Sequence, residues 1–418
     1  DHRYLHSFPT RRSSDLNAND TKAKLYKDTD GDGSGDTLVT NTLDSRVSTT
    51  VDGLITADEV KSIWRAGRLL WERDISSSSS PRKLLTHLYG TTASGCTDPF
   101  SKTGLFDLVS FNWTTESASN RCVLQKMLNA PTEDEAKKII RYVHGEDGLT
   151  IGGMATRNRS VRIGGTTKVW KLGDIISSTP RVQSSNKLQN YHRDAPVGYA
   201  DTTYANDTTN TGFANSTEYK NRGMAYAGAN DGMLHAFTMG KLNVQTSGDV
   251  KATLTGTNLG QEEWAFIPKN ALPYLKYLAD PNYNHMYLVD GPSKLIDASI
   301  GGSSLSPDTP YVGTGGCGTE YSGDDLAGSE TVTNYWACKR DDSQSANKSW
   351  RTILIGSMGS GGATANTTAA CSVATQCVKA PIADVGFSSY YALDVTDPSN
   401  PTFLWEFAAD DLGYATSG

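Results

Sequence analysis

Two short runs of alternating large and small residues, joined by a tight turn, form the clearest pattern along this chain. The runs are residues 224–228 and 233–237, and the turn between them contains Asp231 and Gly232. Gly232 can take the positive φ that a tight turn needs, and an Asp-Gly turn between two such runs is a strong signal for a β-hairpin. Residues 262–268, an apolar run with a Trp, predict a third strand.

The same order of runs recurs further along the chain. Residues 352–356, 390–395 and 404–407 correspond to the three runs of the first set, and the last again contains a Trp. A leading strand is predicted before each set, at 174–182 and at 287–300. Four strands that end in a Trp-containing one are typical of a β-propeller blade. Two blades are too few to close a propeller, so we expect the chain to be truncated.

Each predicted blade carries one Trp at an equivalent place, Trp264 in the first and Trp405 in the second. Large aromatic residues at matching positions of successive blades are expected to pack between the sheets. A ligand-binding platform is the alternative for these two side chains. Packing between the sheets is the prediction for both side chains.

Helical spacing replaces this alternation in the segment before the blades. Residues 54–74 follow a period of about 3.6, with Thr56 as N-cap and Glu59 three residues later. Residues 131–145 form a second predicted helix, capped by Thr132 and ended by a glycine. Further expectations are a strand within 82–90, a polar insertion at 195–220 and a short amphipathic helix at 268–281.

The chain therefore divides into four parts. Residues 1–16 resemble the translated sequencing-adapter peptide that contaminates the ends of assembled genes, and we exclude them from the fold. Residues 17–53 are a loop region rich in Asp and Gly, and residues 54–165 are a mixed helical and loop lead-in region. Residues 166–418 hold the predicted part of a propeller. The expected fold class is mainly β: a partial quinoprotein-like β-propeller after a mixed lead-in.

Charge and composition narrow the function classes. The formal net charge is −7, from 39 Lys and Arg against 46 Asp and Glu, and no basic stripe is present. Nucleic-acid binding is not expected, because phosphate recognition needs clustered positive charge. No run of about 18 apolar residues occurs, so we expect no membrane span. With 37% hydrophobic residues and 40 Gly, long surface loops on an all-β protein are expected rather than a compact enzyme.

The cysteines favour disulfide bonds over a zinc site. Their number is even, their surroundings are polar, and neither a Cys-x-x-Cys motif nor Cys/His ligand spacing occurs. Free cysteines in a cytosolic protein are the alternative. Pairing between sequence neighbours is one of the many connectivities possible, and it gives Cys96–Cys122, Cys317–Cys338 and Cys371–Cys377.

A candidate calcium site lies near the start of the chain. Four carboxylates stand at the first, third, fifth and ninth positions of a nine-residue segment, and a serine can add its backbone carbonyl. The candidate ligands are Asp28, Asp30, Asp32, Ser34 and Asp36. Position twelve is Val39 rather than the Glu of an EF-hand, so a shorter calcium loop is predicted. A solvated Asp/Gly linker is the alternative.

Several longer motifs resemble one family. KLGDIISSTP at 171–180, YAGANDGMLHAF at 226–237 and EWAFIP at 263–268 resemble the opening blade of the PilY family, the type IV pilus biogenesis factors and tip-associated adhesins. WRTILIG at 350–356, YYALDVTDP at 390–398 and LWEF at 404–407 resemble its second blade. WRAGRLL at 64–70 and RYVHGED at 141–147 resemble its lead-in region.

The resemblance implies a modified seven-bladed, quinoprotein-like propeller on the bacterial cell surface. It implies an exported, non-enzymatic protein of the fimbrium that acts in pilus extension, twitching motility, opposition to retraction and adhesion. Its expected partners are minor pilins at the pilus tip and a host or abiotic surface, and its expected cofactor is Ca²⁺. The family's calcium loop has the same spacing but lies within the propeller, whereas residues 28–36 precede it here.

Two other classes of protein are weighed against the pilus factor. A quinone-dependent dehydrogenase shares blades of this type, but the adjacent Cys-Cys pair that often marks such enzymes does not occur in this sequence. Fold similarity alone does not carry chemistry. A structural propeller scaffold of the cell envelope is the third class, and such scaffolds usually lack large Cys-bearing insertions and Asp-rich calcium loops. We therefore predict a protein that is not an enzyme.

Overall fold

Strands dominate the fold of this chain. The structure is a computed structural model, and it describes residues 25–27, 37–39, 64–76, 81–88, 107–198, 200–244, 252–299, 350–366, 378–409 and 412–416. The predicted adapter-like segment 1–16 lies outside the described residues. The prediction of a mainly β chain is confirmed by the elements that follow.

Eighteen strands and five α-helices occur among the described residues. The strands before the first large hairpin are β1 Leu25–Lys27, β2 Thr37–Val39, β3 Leu84–Leu88, β4 Asp107–Ser110, β5 Thr150–Ile151, β6 Met154–Ala155, β7 Ser160–Ile163, β8 Thr166–Val169 and β9 Arg181–Gln183. The later strands are β10 Met224–Ala229, β11 Met233–Thr238, β12 Lys241–Val244, β13 Ala252–Thr255, β14 Glu262–Ile267, β15 Lys294–Ser299, β16 Trp350–Ser357, β17 Tyr390–Asp394 and β18 Thr402–Phe407. The α-helices are α1 Ala66–Glu72, α2 Ala118–Met127, α3 Glu133–His144, α4 Thr217–Lys220 and α5 Leu275–Leu278.

Local capping explains where the best-predicted helix begins and ends. The side chain of Thr132 accepts a hydrogen bond from the backbone N–H of Glu135, which satisfies one of the free donors at the start of α3. Gly145 follows the last residue with φ of 119°, where a side chain would be strained. The helix predicted at 131–145 is therefore confirmed.

Other helical predictions hold only in part. Within 54–74 the structure shows α1, while Thr56 and Glu59 lie outside the described residues. The segment predicted as one amphipathic helix at 268–281 is a 3-10 helix, Lys269–Tyr274, that continues into α5. Helix α2 was not predicted, although Ser117 caps it in the usual way.

The first large sheet contains the predicted hairpin. Its strand order is β4-β3-β14-β11-β10-β9. Strands β9, β10, β11 and β14 form an antiparallel meander, and β3 joins β14 in parallel. Gly232 lies in the turn with φ of 89°, as the Asp-Gly signal predicts. The predicted strand within 82–90 is confirmed as β3.

The leading strand of this meander is shorter than predicted. The prediction of 174–182 is wrong before Arg181, where β9 begins. The backbone upstream is bonded to loops instead, since the carbonyl of Asp174 accepts from Asn230 and the N–H of Ser177 donates to Asp290. Pro180 has no N–H to donate to a neighbouring strand.

The second large sheet consists of four antiparallel strands in the order β15-β16-β17-β18. The predicted runs 352–356 and 404–407 fall within β16 and β18, and the run 390–395 extends one residue beyond β17. The leading strand occupies 294–299 of the predicted 287–300. Asp394 and Asp397 accept hydrogen bonds from backbone N–H groups two residues later, so both shape the turn between β17 and β18.

The two large sheets pack face to face. The ring centroids of Phe266 and Tyr391 lie 5.3 Å apart across the interface. The indole N–H of Trp264, which is fully buried, donates to the carbonyl of Pro398 at 2.8 Å. One continuous apolar core joins these faces to α2 and α3. Burial of these aromatic side chains stabilises the packing of the two sheets through the hydrophobic effect.

The prediction that Trp405 packs between sheets is wrong. Its side chain is 43% exposed and that of Phe407 is 55% exposed. A bulge in β18 separates them from Phe403, which turns inward and stacks on His87. Trp405 and Phe407 therefore lie on the face of the second sheet that points away from the first sheet. We call this surface the outer face, and no described element covers it.

The polar insertion predicted at 195–220 proves to have its own apolar core. It contains the 3-10 helix Phe213–Asn215 and α4, and its aromatic side chains are buried. The cluster consists of Tyr204, Ala205, Phe213, Ala214, Tyr219 and Trp350. Three of the rings lie in the segment and the fourth, Trp350, comes from β16. Together they exclude water, although the mean composition of the segment is polar.

Candidate functional site

The predicted calcium ligands lie outside the described residues. Asp28, Asp30, Asp32, Ser34 and Asp36 all fall within 28–36. The strands on either side of that segment, β1 and β2, are described, and they pair in antiparallel fashion with Lys27 opposite Thr37. The two ends of the predicted loop are therefore held next to each other.

The described part of the chain offers no other obvious metal centre. It contains no group of three or more His, Cys, Asp or Glu side chains placed to hold a metal ion. The same residues include no helix that is both long enough and apolar enough to cross a membrane.

Three buried carboxylates instead organise the polar interior, and the first is Glu262 at the start of β14. Arg82 holds it in a bidentate pair, with Nε and Nη2 each 2.8 Å from a carboxylate oxygen. Nδ1 of His235 lies 2.8 Å from Oε1 of Glu262, and Nε2 lies 3.1 Å from Asp231. Arg82 also donates to the carbonyl of Val143 at the end of α3, which ties the lead-in helices to the first sheet.

Opposite charges stabilise one another in this cluster. Burial alone would lower the pKa of His235, but the negative charges and hydrogen bonds of Asp231 and Glu262 outweigh it and raise the pKa to about 9. Burial opposes ionisation of Glu262, yet Arg82 and His235 hold its pKa well below the usual range. Arg82 and His235 therefore face Glu262 and Asp231, and Nη1 of Arg73 lies a further 3.7 Å from Oε2 of Glu262. A buried group of this kind is stable only as a complete set.

Glu406 in β18 is the second buried carboxylate, and mostly neutral donors satisfy it. Its oxygens accept hydrogen bonds from the N–H groups of Lys269 and Asn270, from the Asn270 amide and from the Ser389 hydroxyl. His87 lies 2.6 Å away through Nε2. Burial would raise the pKa of Glu406, but these hydrogen bonds lower it to about 2. Burial lowers the pKa of His87, so a neutral ring donates to the carboxylate.

Asp297 in β15 is the third buried carboxylate, and hydroxyl groups surround it. Tyr204 and Tyr219 donate to Oδ2 at 2.7 and 2.6 Å, and Thr352 donates to Oδ1 at 2.7 Å. Arg222 donates to the Thr352 hydroxyl and lies 3.2 Å above the Tyr219 ring. Through these contacts the insertion around 204–219 is fixed to the second sheet.

These clusters are built for structure rather than for chemistry on a substrate. Both ring nitrogens of His235 and both oxygens of Glu262 are already engaged, and the side chains are fully buried. A general base needs a nitrogen or oxygen within reach of a substrate proton. The arrangement instead fixes the distances between helices, sheets and insertion.

Sequence reasoning did not single out these carboxylates as a group. Glu262 and Glu406 were assigned only to strands, and Arg82 only to the start of one. A usable signal was present, because an ionisable residue inside an otherwise apolar strand is rarely buried without a partner. The identity of each partner is not encoded locally, since Arg82 and Glu262 are 180 residues apart.

One of the predicted disulfide cysteines lies among the described residues. Cys122, in α2, is disulfide-bonded. The other cysteines of the chain lie outside the described residues, so the pairing Cys96–Cys122 stays a prediction.

The chain is similar to proteins named as type IV pilus biogenesis factors. A PilY1 homologue of Xylella fastidiosa (strain Temecula1) is 28% identical over 244 residues, or 58% of this chain. A second homologue of that strain is 24% identical over 290 residues, or 66% of the chain. PilY1 of Pseudomonas aeruginosa (strain PAK) is 25% identical over 321 residues, or 75% of the chain. These matches confirm the similarity to the PilY family.

The matched regions cover 12%, 12% and 18% of these relatives, so the chain spans less than a fifth of their length. No family model matches the chain. No solved structure matches it either.

Proposed function

We propose, from this relationship to the PilY family, that the chain is part of a non-enzymatic type IV pilus biogenesis factor. The observation that carries the proposal is the similarity over 58–75% of the chain to proteins with that name. The part that resembles the family most specifically, from residue 171 onward, is also the part that folds into the two stacked sheets.

The two large sheets are proposed to be adjacent blades of a propeller. Each contains a four-stranded antiparallel meander, and the sheets pack face to face, as neighbouring blades do. The exposed Trp405 and Phe407 on the outer face fit this proposal, because a third blade would cover them as the second sheet covers Trp264. Exposed aromatic pairs of this kind commonly mark an interface.

The protein is proposed to act outside the cell, at the pilus tip or the cell surface. The disulfide at Cys122 supports export, because such bonds persist mainly in oxidising compartments. Minor pilins and a host or abiotic surface are the proposed partners, and adhesion and pilus extension are the proposed activities. The excess of acidic residues in the chain fits a surface protein rather than a nucleic-acid-binding one.

A chimera tests the pilus role. Residues 64–407, which include the lead-in strands and helices that complete the first sheet, would replace the corresponding segment of PilY1 in Pseudomonas aeruginosa, and surface pili and twitching would be measured. We expect pili to be restored. A matched chimera with Trp264→Ala should lose them through misfolding. A chimera that is exported at the normal level but restores no pili would contradict the proposal.

A calcium site at residues 28–36 is proposed to accompany this function. Its support is the carboxylate spacing together with the pairing of β1 and β2 directly beside the segment. Pairing of the flanking strands reduces the entropy lost when the loop closes around an ion. Four carboxylates in nine residues also repel one another until a cation is bound.

Calorimetric titration of residues 17–418 with Ca²⁺ tests the site. We expect a dissociation constant between micromolar and millimolar, the range of calcium loops of this type. Asp32→Ala and Asp36→Ala should abolish the binding heat, while Asp44→Ala, a carboxylate outside the loop, should leave it unchanged. A folded sample without any binding heat would overturn the site and leave the pilus proposal intact.

A further inference from the structure

A short segment, residues 288–291, connects the two large sheets at one end. The N–H of Val289 donates to the carbonyl of Ala229 at the end of β10, and the N–H of Asp290 donates to the carbonyl of Met358 just after β16. We call this segment the junction. It is tightly packed, because a Cβ on Gly291 would lie 1.9 Å from the Ser357 hydroxyl.

Three buried side-chain oxygens around the junction have no hydrogen-bond partner within the described structure. They are Oδ2 of Asp290, Oγ of Ser293 and Oγ of Ser357. Their residues are only 1%, 3% and 1% exposed. Buried polar atoms in folded proteins are almost always satisfied, so one such oxygen calls for an explanation and three call for a shared one.

The fold brings these three residues into one neighbourhood. Ser357 is in van der Waals contact with Gly291, the residue next to Asp290. Ser293 lies two residues after Gly291 in the chain, and its backbone carbonyl accepts a hydrogen bond from Nε of Arg181. All three residues therefore belong to the segments at which the first sheet, the junction and the second sheet meet.

The charge of Asp290 makes this neighbourhood unusual. Its Oδ1 accepts a hydrogen bond from the N–H of Ser177 at 2.9 Å, but no described Lys, Arg or His forms an ion pair with the carboxylate. The other buried carboxylates, such as Glu262 and Asp297, have cations or several hydroxyl donors. An ionised carboxylate buried with a single donor is costly, so a further positive or polar group is expected beside it.

We propose that Asp290, Ser293 and Ser357 bind a small monovalent cation of the sodium class, which links the two sheets. One carboxylate supplies one negative charge, which matches a single positive charge, and the two hydroxyls supply neutral oxygen ligands for a hard ion. A divalent ion fits less well, because only one carboxylate is present.

Thermal unfolding of the 418-residue chain tests the site. The Tm would be measured in NaCl and in choline chloride at equal ionic strength, with a chelator present to remove calcium. We expect a higher Tm in NaCl than in choline chloride. The difference should grow with the logarithm of the NaCl concentration once that concentration exceeds the dissociation constant, because the ion binds the folded state. Asp290→Asn should remove the difference, and Asp194→Asn, which removes an exposed carboxylate, should retain it.

Equal Tm values for the wild-type chain in the two salts would overturn the proposal and leave only water at the site. If Asp290→Asn does not fold, Ser357→Ala removes one ligand while keeping the charge, and it should weaken the sodium dependence. A direct measurement is anomalous scattering from crystals of the chain soaked in a thallium(I) salt. A peak beside Asp290 is expected, and its absence would contradict a cation site.

Discussion

At the scale of single residues, histidines show how burial and neighbours decide charge. His235 lies between Asp231 and Glu262, and its pKa is raised to about 9. His144 is partly buried, its Nε2 lies 2.7 Å from the carbonyl of Phe111, and burial lowers its pKa to about 4. The same side chain is therefore a cation in one place and neutral in the other.

These two histidines predict opposite effects of pH on stability. The pKa of His235 is higher in the folded chain than its ordinary value of 6.5, so its contribution is complete below pH 6.5 and is lost as pH rises through about 9. The pKa of His144 is lower than 6.5, so its contribution is present above pH 6.5 and is lost as pH falls through about 4.

Urea unfolding between pH 6.5 and 10 checks the first effect. We expect the His235 contribution to the free energy of unfolding to fall by roughly 3 kcal/mol across this window. His235→Gln should be less stable than the wild type at pH 6.5, and its free energy of unfolding should not show this decrease with rising pH. The surface variant His285→Gln should keep it, and identical slopes for His235→Gln and the wild type would contradict the charged state of His235.

At the scale of elements, β14 and β18 show that equivalent strands need not bury equivalent residues. Both are the last strand of a four-stranded meander, and both carry a Trp. Trp264 is covered by the second sheet and donates to the carbonyl of Pro398. Trp405 lies on the outer face, where the described chain provides no further sheet.

The two Trp residues therefore form a matched pair of variants. Trp264→Ala removes a fully buried ring and one hydrogen bond, so we expect the free energy of unfolding to fall by about 3–5 kcal/mol. Trp405→Ala should cost less than about 1 kcal/mol, because the ring is 43% exposed. Chemical denaturation of both variants measures the difference, and similar losses would show that the outer face is covered in this chain.

At the scale of the whole molecule, the insertion between β9 and β10 joins one sheet to the other. It leaves the first sheet, but its buried tyrosines bind Asp297 on the second. The hydroxyls of Tyr204 and Tyr219 also accept from the N–H groups of Gln189 and Leu188, so one network holds both the insertion and its entry. A loop with such contacts opens together with the sheet interface rather than independently.

Asp297→Asn tests this connection while preserving side-chain size. We expect the insertion to lose about 1.5–3 kcal/mol of local stability, since hydrogen bonds to a charged group are among the stronger ones. Hydrogen exchange of residues 188–221 would measure the loss as faster exchange. Glu218→Gln, which removes an exposed carboxylate of the same segment, is the control and should change exchange little. Unchanged protection in Asp297→Asn would refute the role of this carboxylate.

The sequence by itself determined the elements whose signals are local. The Asp-Gly turn places the hairpin of β10 and β11, and Thr132 with Gly145 bounds α3, because turns and caps depend on residues a few positions apart. The recurrence of three runs likewise predicted both meanders. The longest motif that resembles the PilY family, at 226–237, coincides with the hairpin of β10 and β11.

Tertiary structure decided which side chains meet and which faces are covered. The partners of Glu262, Asp297 and Asp290 come from segments far away along the chain, so no local pattern specifies them. Burial of Trp264 and exposure of Trp405 differ for the same reason, because alternation along a strand defines two faces but not which face is covered. The polar clusters and the junction arise only when the two sheets pack together.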